Sequence, residues 1–99
     1  MRPERLKILG RRWEIEFKPG GEPLGIDEIG CSDSEKQLIT IKDGLKPDQE
    51  RSTALHEVLH GISEMLGLGL TEKQVQGLET GLFSVLRDNA RFVSYLRRK

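Results

Sequence analysis

The sequence predicts an α+β domain. A small, mostly antiparallel sheet of three or four strands occupies the front half. An HExxH helix, an antiparallel second helix and a short C-terminal helix follow it. Three observations carry this expectation. Between Arg11 and Lys18, Trp13, Ile15 and Phe17 alternate with charged residues, the period of a half-buried strand. Between Pro47 and Leu66 the period changes: Leu55, Leu59, Ile62 and Leu66 recur at i, i+4, i+7 and i+11, one apolar stripe of a helix. At 99 residues, without internal repeats, the chain is read as a single domain, 1–99, with room for one core of adequate size.

In chain order, residues 5–9 and 11–18 read as two strands around Gly10, and Pro19-Gly20-Gly21 ends the second. Residues 24–31 form a weaker strand with Leu24, Ile26 and Ile29 as its apolar positions. Ser32-Asp33-Ser34-Glu35 has the composition of a turn. Residues 36–42 (KQLITIK) are β-branched and make a stronger strand centred on Ile39 and Ile41. The long helix starts at Pro47, which suits a first helical turn, with Asp48 and Glu50 at the positive end of its dipole. Gly67 or Gly69 ends it in a left-handed conformation. Thr71 with Gln74 forms a capping box for a helix over 72–87, whose stripe is Val75, Leu78, Leu82 and Val85 or Leu86. Asp88-Asn89 separates it from a last helix over 90–98, and the short connections favour antiparallel packing.

Sixteen basic residues balance sixteen acidic ones, which gives no support to a nucleic-acid partner. The distribution is uneven, with five acids and no base between Gly21 and Glu35. Cys31 is the single cysteine, so no intrachain disulfide or cysteine cluster forms, and a small buried thiol is expected. The basic N-terminus lacks the apolar run of a signal peptide, and no stretch approaches a membrane span. A reducing, cytoplasmic setting follows as the expectation, with no membrane partner.

The long helix carries His56-Glu57-Val58-Leu59-His60, an HExxH pattern that uses both histidines of the chain. Residues four apart lie nearly above one another on a helix, so both imidazoles reach one zinc ion from one rigid element. Glu57, on the neighbouring face, can hold and deprotonate a zinc-bound water. The histidines flank the apolar stripe, which puts the metal at the edge of the core and within reach of solvent.

A sheet, then an HExxH helix, then a second helix carrying a carboxylate resembles the minimal zincin metallopeptidase core. ALHEVLHGISEMLGL, followed by TEKQVQGLETGLFSVLRDN, resembles small phage- and prophage-type HExxH proteins allied to the ImmA/IrrE-type metallopeptidases. The resemblance covers a little over half the chain. It implies zinc held by His56, His60 and a glutamate, with Glu57 as general base and a peptide or protein as substrate. The family's pattern for the third ligand falls on Glu72. A fold-back of the two helices about a turn near Leu68 brings Glu79 level with His60 instead, so Glu72 is the first assignment and Glu79 the alternative. Glu64 is read as a surface or outer-layer group. No third histidine is available for an oxyanion, which leaves Tyr95, Arg51 or Arg87 for that role, or no residue. The strand within 37–42 is the expected edge for an extended peptide. The other reading is a regulatory or protein-binding module that keeps the zincin scaffold without turnover.

Overall fold

A computed structural model describes residues 2–99 of the chain. Four strands, β1 (Arg5–Ile8), β2 (Arg11–Lys18), β3 (Gly30–Asp33) and β4 (Leu38–Lys42), precede three helices, α1 (Pro47–Leu66), α2 (Glu72–Asp88) and α3 (Ala90–Arg97). The α+β expectation holds, and helix boundaries agree to within a residue. The strands form one sheet in the order β1-β2-β4-β3, antiparallel at both outer pairs and parallel between β2 and β4.

The β1–β2 hairpin pairs Ile8 with Arg11, so Leu9 and Gly10 form its two-residue turn. Both have positive φ (51° and 78°), as the right-handed twist of a tight hairpin demands. Leu9 therefore leaves the strand to which its apolar side chain had assigned it.

The larger correction concerns residues 24–42. The expected strand over 24–31 is mostly loop, and only Gly30 and Cys31 of it are extended. The chain crosses from β2 through residues 19–29 to the far edge, runs along β3 and returns as β4 into the space beside β2. Side-chain volume explains this order. Ile39 and Ile41 are fully buried and need neighbours on both sides, whereas the small residues of Gly30-Cys31-Ser32 suit an edge. Asp33 belongs to β3, and its Oδ1 accepts from the Glu35 and Lys36 amides to close the turn into β4.

Ile8, Trp13, Ile15, Ile39 and Ile41 form the core on one face of the sheet. Helix α1 covers it with Ala54, Val58, Ile62 and Met65. The expected stripe is used in part: Leu59 is buried and Ile62 packs on the core, whereas Leu66 is 54% exposed, and the Trp13 contact falls on Gly61. A Cβ there would stand 3.0 Å from Cη2 of Trp13, so the indole packs on bare backbone.

Helix α2 runs antiparallel to α1, because rising positions on one meet falling positions on the other: Asp48 with Arg87, His56 with Glu79, His60 with Glu72. Its apolar stripe does not become core. Val75 alone is buried, while Leu78, Leu82, Val85 and Leu86 remain 38–44% exposed. Among the described residues no helix is long and apolar enough to cross a membrane.

Candidate metal centre

Three faces of α1 have three neighbours, and the sequence distributes residues accordingly. Small and apolar residues meet the sheet, Thr53 and Glu57 meet Gly30 of β3, and the histidines meet α2. The rings of His56 and His60 lie one turn apart, centroids 4.8 Å from each other at 65°. Their Nε2 atoms converge to 3.2 Å.

The turn into α2 is tightly specified. Gly67 adopts the left-handed conformation (φ 64°), and the Leu68 amide donates back to the Ser63 carbonyl at 2.9 Å. Buried Ser63 also accepts from the Leu70 amide through Oγ at 3.0 Å. The Thr71–Gln74 capping box is present with both of its hydrogen bonds. Glu72 thus enters in the first turn of α2, directly opposite the histidines.

Its carboxylate spans both rings, with Oε1 2.6 Å from His56 Nε2 and Oε2 2.9 Å from His60 Nε2. Glu79, two turns on, takes a different partner: its Oε1 accepts from His56 Nδ1 at 2.8 Å. The two glutamates between which sequence spacing had to choose are therefore both at the centre, in different positions. An Nδ1–H held by Glu79 leaves the Nε2 lone pair of His56 free for a metal. Burial by itself would lower the pKa of His56. The Glu79 hydrogen bond and the charges of Glu72 and Glu57 outweigh it and raise the value above 6.5.

Glu57 is nine-tenths buried at the cleft floor, and among the described residues no side chain or backbone group donates to it. Burial raises its pKa above 4.5. His56 and His60 oppose that shift, and Glu72 and Glu28 add to it. The wall beside it requires Gly30: a Cβ there would fall 2.6 Å from Thr53 Cγ2 and 3.1 Å from Glu57 Oε2. Gly30 escaped the sequence reading, although a glycine opening a strand signals close backbone approach. Cys31, half-buried beside it, has its thiol pKa pushed up by burial, consistent with a packing role.

One ligand atom each from His56, His60 and Glu72 lies within 4.8 Å of the others. Tetrahedral zinc with bonds of about 2.0–2.2 Å needs ligand atoms about 3.3–3.6 Å apart. The two Nε2 atoms stand 3.2 Å apart, and Glu72 offers one oxygen to each, at 2.6 and 2.9 Å, so a single carboxylate oxygen reaches a shared ion by adjustment of the Glu72 side chain. Two imidazoles and one carboxylate are also a zinc-type donor set. His56, His60 and Glu72 thus fit such an ion, with Glu79 behind His56.

The centre lies in an open cleft of about 680 Å³ between α1, α2 and β3. The expected peptide edge is corrected here: β4 is internal to the sheet, and β3 is the edge strand that lines the cleft. Arg51, Arg87 and Tyr95 are not among the residues lining it. Arg87 grips Asp48 through two bonds of 2.7 and 3.1 Å, with Arg51 on the same carboxylate, and Tyr95 stands on α3, 62% exposed. Glu64 does line the cleft, one turn beyond His60, and Glu28 and Gln76 join it without any motif to announce them. No protein-family model, no curated protein and no solved structure matches the chain.

Proposed function

We propose that this protein is a zinc-dependent peptidase with Glu57 as general base. The observation that carries the reading is the convergence of His56, His60 and Glu72 beside a buried carboxylate that has no hydrogen-bond partner among the described residues, in a cleft bordered by an edge strand. Bound by those three side chains, zinc supplies Lewis-acid polarisation of a carbonyl and lowers the pKa of a water to about 7. Glu79 keeps the His56 ring in its ligating tautomer. Glu57 takes the proton of the attacking water and returns it to the leaving amine. The open edge of β3 pairs with the backbone of an extended substrate and holds the scissile bond over Glu57. The single cysteine fits a reducing, cytoplasmic setting.

The test is cleavage of a peptide library by the zinc-loaded protein, with and without chelator, alongside Glu57→Gln. Chelator-sensitive cleavage that Glu57→Gln abolishes while zinc content is unchanged is the expected result. Equal turnover by Glu57→Gln removes Glu57 from the role of base. One observation favours a metal-holding binding module instead: among the described residues lining the cleft there is no arginine, lysine or tyrosine to receive an oxyanion. A zinc-loaded protein that cleaves nothing in the library would establish that second reading.

A further inference from the structure

The charge of the cleft is one-sided. Glu28, Glu57, Glu64, Glu72 and Glu79 line it and, among the described residues, no lysine or arginine does, in a chain whose acids and bases balance. Glu72 and Glu79 are engaged with imidazoles. Glu28 and Glu64, at the rim, pair with no cation among the described residues. One divalent ion offsets only part of this charge, so the cleft stays negative when loaded. The acid-only stretch between Gly21 and Glu35 is the loop and strand that build this wall. At the far end of β3 it continues into Asp33 and Glu35 beside Glu64, with Lys36 adjoining. Clefts lined by one sign of charge concentrate ligands of the other.

A second, independent feature shows where the ligand lies. Glu57 is 7% exposed, receives no hydrogen bond among the described residues, and borders the cleft at Gly30. That carboxylate opens into the cleft with its acceptor sites free for a group that enters there. Glu57 and Glu64 are seven residues apart on α1, about 10 Å along the helix. An extended peptide rises about 3.3 Å per residue, so Glu64 stands about three residues from the position over Glu57. Glu28, just before β3, flanks that position on the other side.

We infer that the cleft selects extended cationic peptides, with lysine or arginine side chains on both sides of the bond held over Glu57, met by Glu28 at one end of β3 and Glu64 at the other. The inference rests on the peptide-cleft reading above but not on turnover. Binding therefore tests it separately.

The experiment uses the zinc-loaded Glu57→Gln protein and two decapeptides with the same apolar centre, one flanked on both sides by lysines and one by glutamates. The lysine peptide is expected to bind about tenfold or more tightly at low ionic strength, with the difference shrinking toward about 1 M salt, where screening acts over about 3 Å. Adding Glu28→Gln and Glu64→Gln to that protein should erase most of the preference while leaving zinc content and thermal melting in place. Glu28→Gln keeps the acceptor that Glu28 Oε1 offers to the Gly25 amide at 2.8 Å, so the loop is preserved. Equal binding of the two peptides, no binding of either, or a preference that survives both substitutions overturns the inference. Cleavage by wild type is scored in parallel: cleavage blind to charge sinks the inference and spares the peptidase reading, and charge-selective binding without cleavage does the reverse.

Discussion

Helices α1 and α2 lie side by side and are held by different forces. Helix α1 rests on a core of Trp13, Ile15, Ile39 and Ile41, each at most 6% exposed. Helix α2 contributes one buried residue, Val75, and leaves four large apolar side chains more than a third exposed. Full burial of one such side chain is worth about 1.5–3 kcal/mol. Polar contacts add to this: the exposed Asp48–Arg87 pair and the contacts of Glu72 and Glu79 with the imidazoles. The difference teaches that the sheet positions one half of the candidate centre through packing. The other half is positioned by a tight turn, one buried valine and polar contacts that include the groups that would hold the metal, so zinc would couple site and fold.

The strongest way to break this asymmetry is to remove the ligands. Zinc at a thousandfold over its dissociation constant should stabilise wild type by about 4 kcal/mol, and His56→Ala or His60→Ala should abolish that gain. Thermal melts with and without zinc measure it, and for a domain of this size each kcal/mol moves Tm by about 4–8 °C. If wild type melts identically with and without zinc, the coupling is refuted.

Next in size is Gly30→Ala. Thr53 Cγ2 is β-branched and cannot swing clear of a Cβ at 2.6 Å, so β3 must shift away from α1. A destabilisation of about 1–3 kcal/mol is expected in urea unfolding. An unchanged midpoint would show that the strand–helix contact is looser than drawn.

Substitutions on α2 then sharpen the comparison. Glu72→Ala should weaken zinc binding more than Glu79→Ala, whose loss should be about 10–100-fold, as expected for a group that orients a ligand. Glu79→Gln retains an acceptor for His56 Nδ1 and should recover much of that loss. Zinc titrations decide, and a larger loss for Glu79→Ala would exchange the two roles.

The smallest effect is the surface pair. Arg87 holds the Asp48 carboxyl below its ordinary 3.8, chiefly through their hydrogen bonds. A carboxylate with a depressed folded-state pKa adds stability above its unfolded value and loses it as pH falls through the folded one. Asp48→Asn should therefore lower Tm slightly near neutrality, and the gap from wild type should close as pH falls through the lowered folded-state value. A gap that is constant with pH would mean the pair contributes nothing through charge.

Much of this was legible because it is local. Alternation in β2, the HExxH spacing and the Thr71–Gln74 box each depend on residues within one or two turns, and each is found as expected. What the spacing left open depends on how elements meet. The choice between Glu72 and Glu79 needed the position of α2 on α1. The choice of edge needed the path of residues 19–29, which puts β3 rather than β4 outermost. Periodicity also misled at α2. It reports that a helix has an apolar side, and Leu78, Leu82 and Val85, each more than a third exposed, show that such a side need not become core.

The turn at Gly67–Leu70 acts as a gauge block. Ser63 fixes it from within, holding the Leu68 amide by its carbonyl and the Leu70 amide by its hydroxyl. One residue inserted or deleted there would break the Ser63 contacts and change the level and rotation at which α2 starts. Glu72 and Glu79 would then leave the histidines together, although neither helix had lost a hydrogen bond of its own. The length of this connection thus belongs to the donor set as much as any side chain does. Chains built on this plan should accept added residues in the 19–29 loop far more readily than between their two long helices.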